Sequence, residues 1–264
     1  MRSRRKKYAI PFHFALAILL FVAALGTNTF IDGPMLKQYF PYVPVILLLA
    51  ATGLLYKIEG KNLGAIGLNP SIKTVSFLLL GLLIGAGAFL AASYARAVYS
   101  GEEIALSSTI DYHTIISSLY FILPTVAVEE LLFRGYLFKK TIEVSNVVIA
   151  NIIFALLFML IHVVDETVMS HPGHMILLMI SIPVGHLWFA TALQKSNTLF
   201  FPIGLHLGNN WATRHLISDN SNGESILVVL NRVNFDTWPS FIGMLLITNG
   251  VFLLITLLIW KWGK

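Results

Sequence analysis

The chain contains no cysteine and has little charge. Charged residues make up 12% of its 264 residues, against roughly 25% in a typical soluble domain. Without cysteine, disulfide frameworks, cysteine-ligated zinc, iron–sulfur clusters and thiol nucleophiles are excluded. The shortage of charge comes with 56% hydrophobic residues and a mean hydropathy of +0.78. These values exclude both a soluble fold and a disordered chain.

Long apolar runs fill most of the sequence. Because a helix of about 20 residues crosses a hydrocarbon core of about 30 Å, eight runs predict membrane-spanning helices. They cover residues 9–30, 41–57, 72–98, 112–138, 146–164, 174–194, 198–217 and 239–260. Strands of a membrane barrel would alternate apolar and polar residues, whereas several of these runs are apolar on every face. We predict an all-α polytopic membrane protein in which residues 1–264 form one membrane domain.

Basic residues are unequally distributed between the two sides of such a bundle. With the N-terminus inside, the inner side holds thirteen lysines and arginines, whereas the outer side holds three and carries nine acidic residues. Because cytoplasmic loops carry the excess of basic residues, both termini are predicted to be cytoplasmic. Topology and attraction to anionic lipid therefore explain the net charge of +5. Nucleic-acid binding has no support.

The fourth apolar run contains three charged residues, Glu129, Glu130 and Arg134. Each costs about 2.5–3.5 kcal/mol near the bilayer centre on insertion scales. Glu130 and Arg134 are four residues apart, so they share a helical face and can form an ion pair. Glu129 points about 100° away from Glu130 on a helix and is left without a local partner. Such a carboxylate is suited to act as a general base.

Two later runs carry polar residues at the same spacing. His162 follows Phe158 by four residues, and Asn210 follows His206 by four. Each pair therefore shares one helical face. A single intramembrane histidine is often a hydrogen-bonded core residue, but three polar clusters on three helices predict one shared functional site.

Other residues near these clusters are candidates for lining or shaping the site. Those that could line it, although ordinary packing or solvation is the favoured interpretation, are Tyr136, Asn209, Trp211 and Arg214. His186 lies in the sixth apolar run beyond Pro183, and for it a structural role is favoured. Pro124 and Pro202 precede Glu129 and His206, and a proline inside a spanning helix usually kinks it. The spacing of Gly81 and Gly85 lets helices approach closely.

The three motifs together resemble those of one protein family. Glu-Glu-x-x-x-Arg, Phe-x-x-x-His and His-x-x-x-Asn occur in this order, each in an apolar run, within roughly residues 115–212. This arrangement is similar to that of the CPBP family of intramembrane proteases, which includes the type II CAAX prenyl endopeptidases and many bacterial relatives. The resemblance implies hydrolysis of a peptide bond in a membrane-associated peptide or protein, lipidated or not, in a bacterial plasma membrane.

The resemblance also implies a role for each motif. The six catalytic residues would be Glu129, Glu130, Arg134, His162, His206 and Asn210. By the family's motif, Glu129 and His162 would activate a water molecule, and the ion pair of the fourth run would brace the site. His206 and Asn210 would stabilise the oxyanion, a task for which an amide donor such as Asn210 is suited.

Several alternatives stay open. Glu129, His162 and His206 could supply the three ligands of a catalytic zinc, although a His-Glu-x-x-His pair on one helix is missing and a metal-free mechanism needs the same residues. A proton-coupled transporter would bury the same residue types, but the internal repeat usual in transporters is not visible. A catalytically silent membrane binding or immunity protein would keep the fold without needing Glu129.

Helix rise gives an expectation for the side on which the site opens. His206 lies about 16 Å along its helix from Lys195, and Glu129 about 15 Å from Lys139. His162 fits less well, because it lies about 24 Å from the inner end of its run. We expect access from the cytoplasmic half of the bilayer.

Overall fold

A computed structural model describes residues 2–30, 39–219 and 223–262. Its α-helices are α1 (Arg2–Phe30), α2 (Val43–Ile58), α3 (Ile72–Ser100), α4 (Tyr112–Phe133), α5 (Tyr136–Val144), α6 (Val147–Val163), α7 (Glu166–Met169), α8 (Pro172–Ser196), α9 (Phe200–His215) and α10 (Trp238–Lys261). A 3-10 turn covers Leu63–Ile66. The strands are β1 (Ile104–Leu106), β2 (Ile217–Ser218) and β3 (Leu227–Val229).

Each of the eight predicted runs is helical, which confirms an all-α polytopic membrane protein. Five stretches are long and apolar enough to cross a membrane: Ile10–Thr27, Ile72–Ser100, Tyr112–Val144, Pro172–Ser196 and Trp238–Lys261. Helices α2 and α6 are shorter apolar helices. The remaining run, α9, has 16 residues and is enclosed by the other helices, with every residue from Phe201 to Gly208 buried. That all eight helices cross the bilayer stays a prediction.

The fourth run is not one helix, as the sequence predicted for residues 112–138. Helix α4 ends at Phe133, and α5 begins at Tyr136 after a turn at Arg134 and Gly135. A Cβ on Gly135 would lie 2.1 Å from the carbonyl oxygen of Leu131, so the turn needs glycine. The prediction was wrong here because the turn is buried, and the apolar pattern therefore continues through it.

Helices α3 and α9 are in close contact through glycines on both. Gly81 and Gly85 of α3 face Gly204 and Gly208 of α9, and a Cβ on any of the four would lie 2.1–2.6 Å from a carbonyl oxygen of the opposite helix. The close packing predicted from Gly81 and Gly85 is therefore present. His206 lies between the two glycines of α9, so this contact sets its position.

The two prolines of interest lie in different settings. Pro124 is inside α4, where it removes one backbone hydrogen bond. Pro202 is the third residue of α9, and the N–H groups of a first turn have no partner within the helix. The predicted kink at Pro202 is therefore wrong.

A small three-stranded sheet was not predicted. Its strand order is β1-β3-β2, with β3 antiparallel to β1 and parallel to β2. Ile104 pairs with Val229, and Ile217 pairs with Leu227. The sheet joins the connection that follows α3 to the one that follows α9, at the end of the bundle where α4 begins.

Candidate active site

The predicted ion pair is present and fully buried. Glu130 and Arg134 have no exposed side-chain surface, and Arg134 Nη1 donates to Glu130 Oε1 over 3.1 Å. Nδ1 of His206 donates to the same oxygen over 2.8 Å. The third partner therefore comes from α9, whereas Glu130 Oε2 and the Nε and Nη2 atoms of Arg134 have no hydrogen-bond partner among the described residues. The pair therefore connects the fourth and seventh predicted runs.

Two aromatic rings complete the surroundings of Arg134. The guanidinium carbon lies 4.2 Å from the ring centre of Phe158 and 5.1 Å from that of Phe189. A cation over a ring face is attracted by its π-electrons, more strongly where water is excluded. Phe158, predicted from its spacing to His162, therefore also helps to hold the arginine.

His206 lies between the two glutamates. Its Nε2 is 3.6 Å from Glu129 Oε2, which is too long for a hydrogen bond, and its ring stacks on Phe189 at 4.6 Å between centres. Because Nδ1 carries the proton donated to Glu130, Nε2 is an acceptor in the neutral ring and a donor in the imidazolium. Glu130 therefore directs the reactive nitrogen of His206 toward Glu129.

Glu129 has the environment that the helix geometry predicts. Its side chain is 21% exposed and lines a cavity. Within the part of the chain that the structure describes, its Oε2 is buried and has no hydrogen-bond partner. Unsatisfied buried oxygens are rare in native proteins, and one beside a cavity is available to an incoming polar molecule.

His162 lines the same cavity. Its Nδ1 donates to the carbonyl oxygen of Phe158 over 2.7 Å, and its ring meets the Phe158 ring edge-on at 4.7 Å between centres. This hydrogen bond fixes the tautomer in which Nε2 is an acceptor. His162 can therefore accept a hydrogen bond from a molecule in the cavity.

The cavity has a volume of about 470 Å³ and brings together residues of five predicted runs. Among its lining residues are Glu129, Phe158, His162, His206, Asn209, Asn210 and Arg214. Tyr136 and Trp211 do not line it, because the Tyr136 hydroxyl donates to Glu59 Oε1 over 2.6 Å and Trp211 Nε1 donates to the Ile115 carbonyl over 2.9 Å. His186 does not line it either; it is fully buried, with its ring near those of Phe138 and Phe158.

The cavity extends in the direction opposite to the one that helix counting favoured. From His206 it follows α9 to Thr213 and Arg214, toward the end of the bundle that carries the sheet. At the other end, Phe201 and Leu205 are fully buried and close the space. His162, near the C-terminal end of α6, is therefore well placed, whereas helix counting from the inner loops had made it the outlier.

Sequence reasoning missed three residues that position the site. Gly204 and Gly208 flank His206 at the small-xxx-small spacing, so their pattern was readable in advance. Phe189 supports both His206 and Arg134, but a phenylalanine in an apolar run gives no signal of such a role.

The zinc alternative receives no support from this geometry. Residues 2–30, 39–219 and 223–262 contain no group of three or more His, Asp or Glu side chains that could hold a metal ion. The residues as placed do not fit a three-ligand site, and no step below involves a metal.

Fold and site together define a polytopic helical membrane protein with a polar cavity built on the motifs of an intramembrane protease. Residues 111–212 match the family described as type II CAAX prenyl endopeptidase Rce1-like. This part of the chain is therefore similar to a protease family, in agreement with the resemblance of the three motifs to the CPBP family. No curated protein and no solved structure matches the chain.

Proposed function

We propose that this protein is an intramembrane endopeptidase that hydrolyses a peptide bond of a membrane-associated peptide or protein. One observation carries the proposal. Glu129 presents a carboxylate oxygen without a hydrogen-bond partner among the described residues, in a cavity that also exposes His162 and the Nε2 side of His206. A carboxylate kept unpaired inside an apolar bundle is costly, and such residues concentrate at functional sites.

Water activation would fall to Glu129 and His162. A water held between the Glu129 carboxylate and the acceptor nitrogen of His162 has both hydrogens engaged, so its oxygen lone pair faces the cavity. Glu129 takes one proton as the oxygen attacks the substrate carbonyl. The same carboxyl group then gives the proton to the leaving nitrogen as the carbon–nitrogen bond breaks.

The negative charge on the attacked carbonyl oxygen would be met by His206 and Asn210. His206 Nε2 faces the cavity and donates when the ring takes up a proton, and the Asn210 side-chain amide donates from one turn farther along α9. Loss of one oxyanion donor costs about 2.7–4 kcal/mol in typical enzymes. Glu130, itself held by Arg134, keeps His206 in the required orientation, so the ion pair acts as a positioning element.

The orientation of the protein decides which face the substrate meets. We propose that both termini are cytoplasmic and that residues 1–264 form one membrane domain. With that orientation, the cavity opens toward the outer face, because its mouth lies at the sheet end of the bundle.

Reporter fusions after Lys140 and Lys195 should read cytoplasmic. Thr213→Cys, in a chain without cysteine, should react with a charged thiol reagent only from outside sealed vesicles. Labelling only from inside would contradict this orientation.

The test of function compares the same glutamate-to-glutamine substitution at two positions. Peptides released from cells that make the intact protein, Glu129→Gln or Glu59→Gln would be identified by mass spectrometry. We expect Glu129→Gln to lower product formation by about 10²–10⁴-fold, the usual contribution of a general base, while Glu59→Gln retains it. Products that persist in Glu129→Gln would contradict the assigned base, and a silent binding protein would yield no products in any of the three strains.

A further inference from the structure

Helix α8 forms one wall of the cavity in the candidate active site. Its lining residues include Leu178, Ser181, Ile182, Gly185 and Phe189. Because residues three and four apart share a helical face, these positions form one stripe along the wall. Every member of the stripe has a side chain except Gly185, so the wall is recessed at this position.

The recess at Gly185 lies beside a histidine of the proposed reaction. A Cβ built on Gly185 would lie 4.0 Å from Cε2 of Phe189. The opposite contact of the same ring is with His206, on which it stacks at 4.6 Å between centres. One aromatic ring therefore borders both the recess and the imidazole that would meet the oxyanion.

Neither backbone conformation nor helix packing requires a glycine at position 185. Gly185 lies inside α8 and does not have a positive φ, and the nearest neighbour of an added Cβ would be at an ordinary contact distance. By contrast, a Cβ on Gly204 would lie 2.2 Å from the Leu78 carbonyl oxygen, and one on Gly135 would lie 2.1 Å from a carbonyl oxygen of its own helix. Glycine inside a helix is destabilising relative to alanine. What Gly185 provides in return is space inside the cavity.

The surroundings of this space are apolar. Ile182 and Phe189 flank Gly185 on α8, and both line the cavity. Phe158 of α6 also lines it, and faces this turn of α8 with its ring centre 6.5 Å from that of His186. A charged side chain placed among these groups would lose water without gaining a partner, whereas an apolar one would be stabilised by burial.

We propose that Gly185 forms the floor of a subsite that selects a large apolar side chain, such as leucine or phenylalanine, next to the scissile bond. This inference rests on the proposed function, because it assigns a substrate side chain to the cavity of that reaction. Adjacent residues of a peptide are about 3.8 Å apart, so a side chain beside the scissile carbonyl at His206 can reach the recess. Gly185 is thus a specificity-determining residue and takes no part in bond cleavage.

Binding can be tested without turnover, in full-length Glu129→Gln protein in detergent. The probes are N-acetyl-L-leucinamide and N-acetyl-L-alaninamide, and their binding is followed by saturation-transfer NMR. We expect the leucine probe to bind about tenfold more tightly, because its additional carbons are buried in the recess. Adding Gly185→Val fills the recess and should lower the affinity for the leucine probe by about tenfold, while the affinity for the alanine probe stays unchanged.

Two further variants control for bulk and for folding. Gly250 is exposed on α10 and a Cβ there would meet nothing within 4 Å, so Gly250→Val should keep the preference for the leucine probe. Gly185→Ala adds one carbon and should give an intermediate preference, which decides the question if Gly185→Val does not fold. Equal affinity for the two probes, or binding of neither, would overturn the subsite. Equal effects of Gly185→Val and Gly250→Val would overturn it as well.

Released peptides separate this inference from the proposed function. In cells that make the intact protein, a large apolar residue should adjoin the cleaved bond, and Gly185→Val should shift that residue toward alanine and glycine. Products with the same residue preference in both strains would overturn the subsite and leave the endopeptidase standing. Preferential binding of the leucine probe without any released product would contradict the endopeptidase and leave a binding site for an apolar side chain.

Discussion

Two glutamates of this protein occupy contrasting environments. Glu59 follows α2 and is surrounded by donors: the Tyr136 hydroxyl at 2.6 Å, Lys140 Nζ at 2.7 Å and Lys61 Nζ at 3.2 Å. Glu129, inside α4, has a histidine nitrogen at 3.6 Å and an oxygen without a hydrogen-bond partner in the described chain. The residue type is the same, and the number of donors differs.

That difference separates a structural carboxylate from a reactive one. A buried carboxylate that accepts several hydrogen bonds is stable as an anion and contributes to the fold. One that accepts few hydrogen bonds destabilises the fold, and such residues concentrate at functional sites. On this basis Glu59 holds α2 and α5 together, whereas Glu129 is the base that we propose for the cavity. The contrast between the two glutamates can be tested by substitutions at or near each of them.

The largest effect on stability is expected from Arg134→Ala. This change leaves Glu130 buried with one donor fewer, and breaking a buried pair in this way costs about 3–5 kcal/mol. The free energy of unfolding in detergent, followed by circular dichroism during denaturant titration, should fall by that amount. Glu130→Gln with Arg134→Ala should recover part of the loss, because no buried anion remains. An Arg134→Ala protein as stable as the intact one would contradict the role of the pair.

Much of the bundle could be predicted from the sequence because the membrane imposes it. A long apolar run must form a helix to satisfy its backbone hydrogen bonds in lipid, and residues four apart must share a face. Glu130 and Arg134 are therefore paired, as predicted. These rules concern residues within one helix, so they hold independently of the contacts that the helix makes with other elements.

What could not be predicted depends on contacts between distant elements. The site of Glu59 forms only because α5 turns away at Gly135 and brings Tyr136 and Lys140 to it. The direction of the cavity depends on which side chains of α8 and α9 close its other end. Neither the sheet nor these contacts leaves a periodic pattern, since each depends on residues of different elements.

A smaller effect is expected from Gly85→Ala. This substitution tests whether the packing of α3 against α9 positions His206 beside Glu129. The new Cβ would lie 2.2 Å from the carbonyl oxygen of Leu205, so α3 and α9 would have to separate. Overpacking of this kind costs about 1–3 kcal/mol, and His206 would move with α9. We expect turnover to fall together with stability.

The matched control is Gly87→Ala, two residues along the same helix, where a Cβ would meet nothing within 4 Å. It changes the intrinsic helix propensity in the same way without touching α9. Unfolding measurements and product assays on both variants separate the two effects. Equal behaviour of the two alanine variants would show that close contact between α3 and α9 does not position His206.

The smallest effect is expected from Glu59→Gln, and it depends on pH. Burial raises the pKa of Glu59, but hydrogen bonds from Lys140, Tyr136 and Lys61 outweigh it and lower the pKa from 4.5 to about 2. Because the pKa is lower in the folded protein, the carboxylate stabilises the fold above about pH 4.5, and this contribution is lost as the pH falls toward 2.

Glutamine keeps an acceptor oxygen but not the charge, so we expect a loss of about 1–2 kcal/mol at pH 7. The difference between the two proteins should shrink steadily from pH 5 to pH 2 in unfolding titrations, while turnover per folded molecule at pH 7 stays unchanged. A Glu59→Gln protein that is stable but inactive would contradict the comparison. It would show that the number of hydrogen-bond donors around a glutamate does not separate a structural role from a catalytic one in this protein.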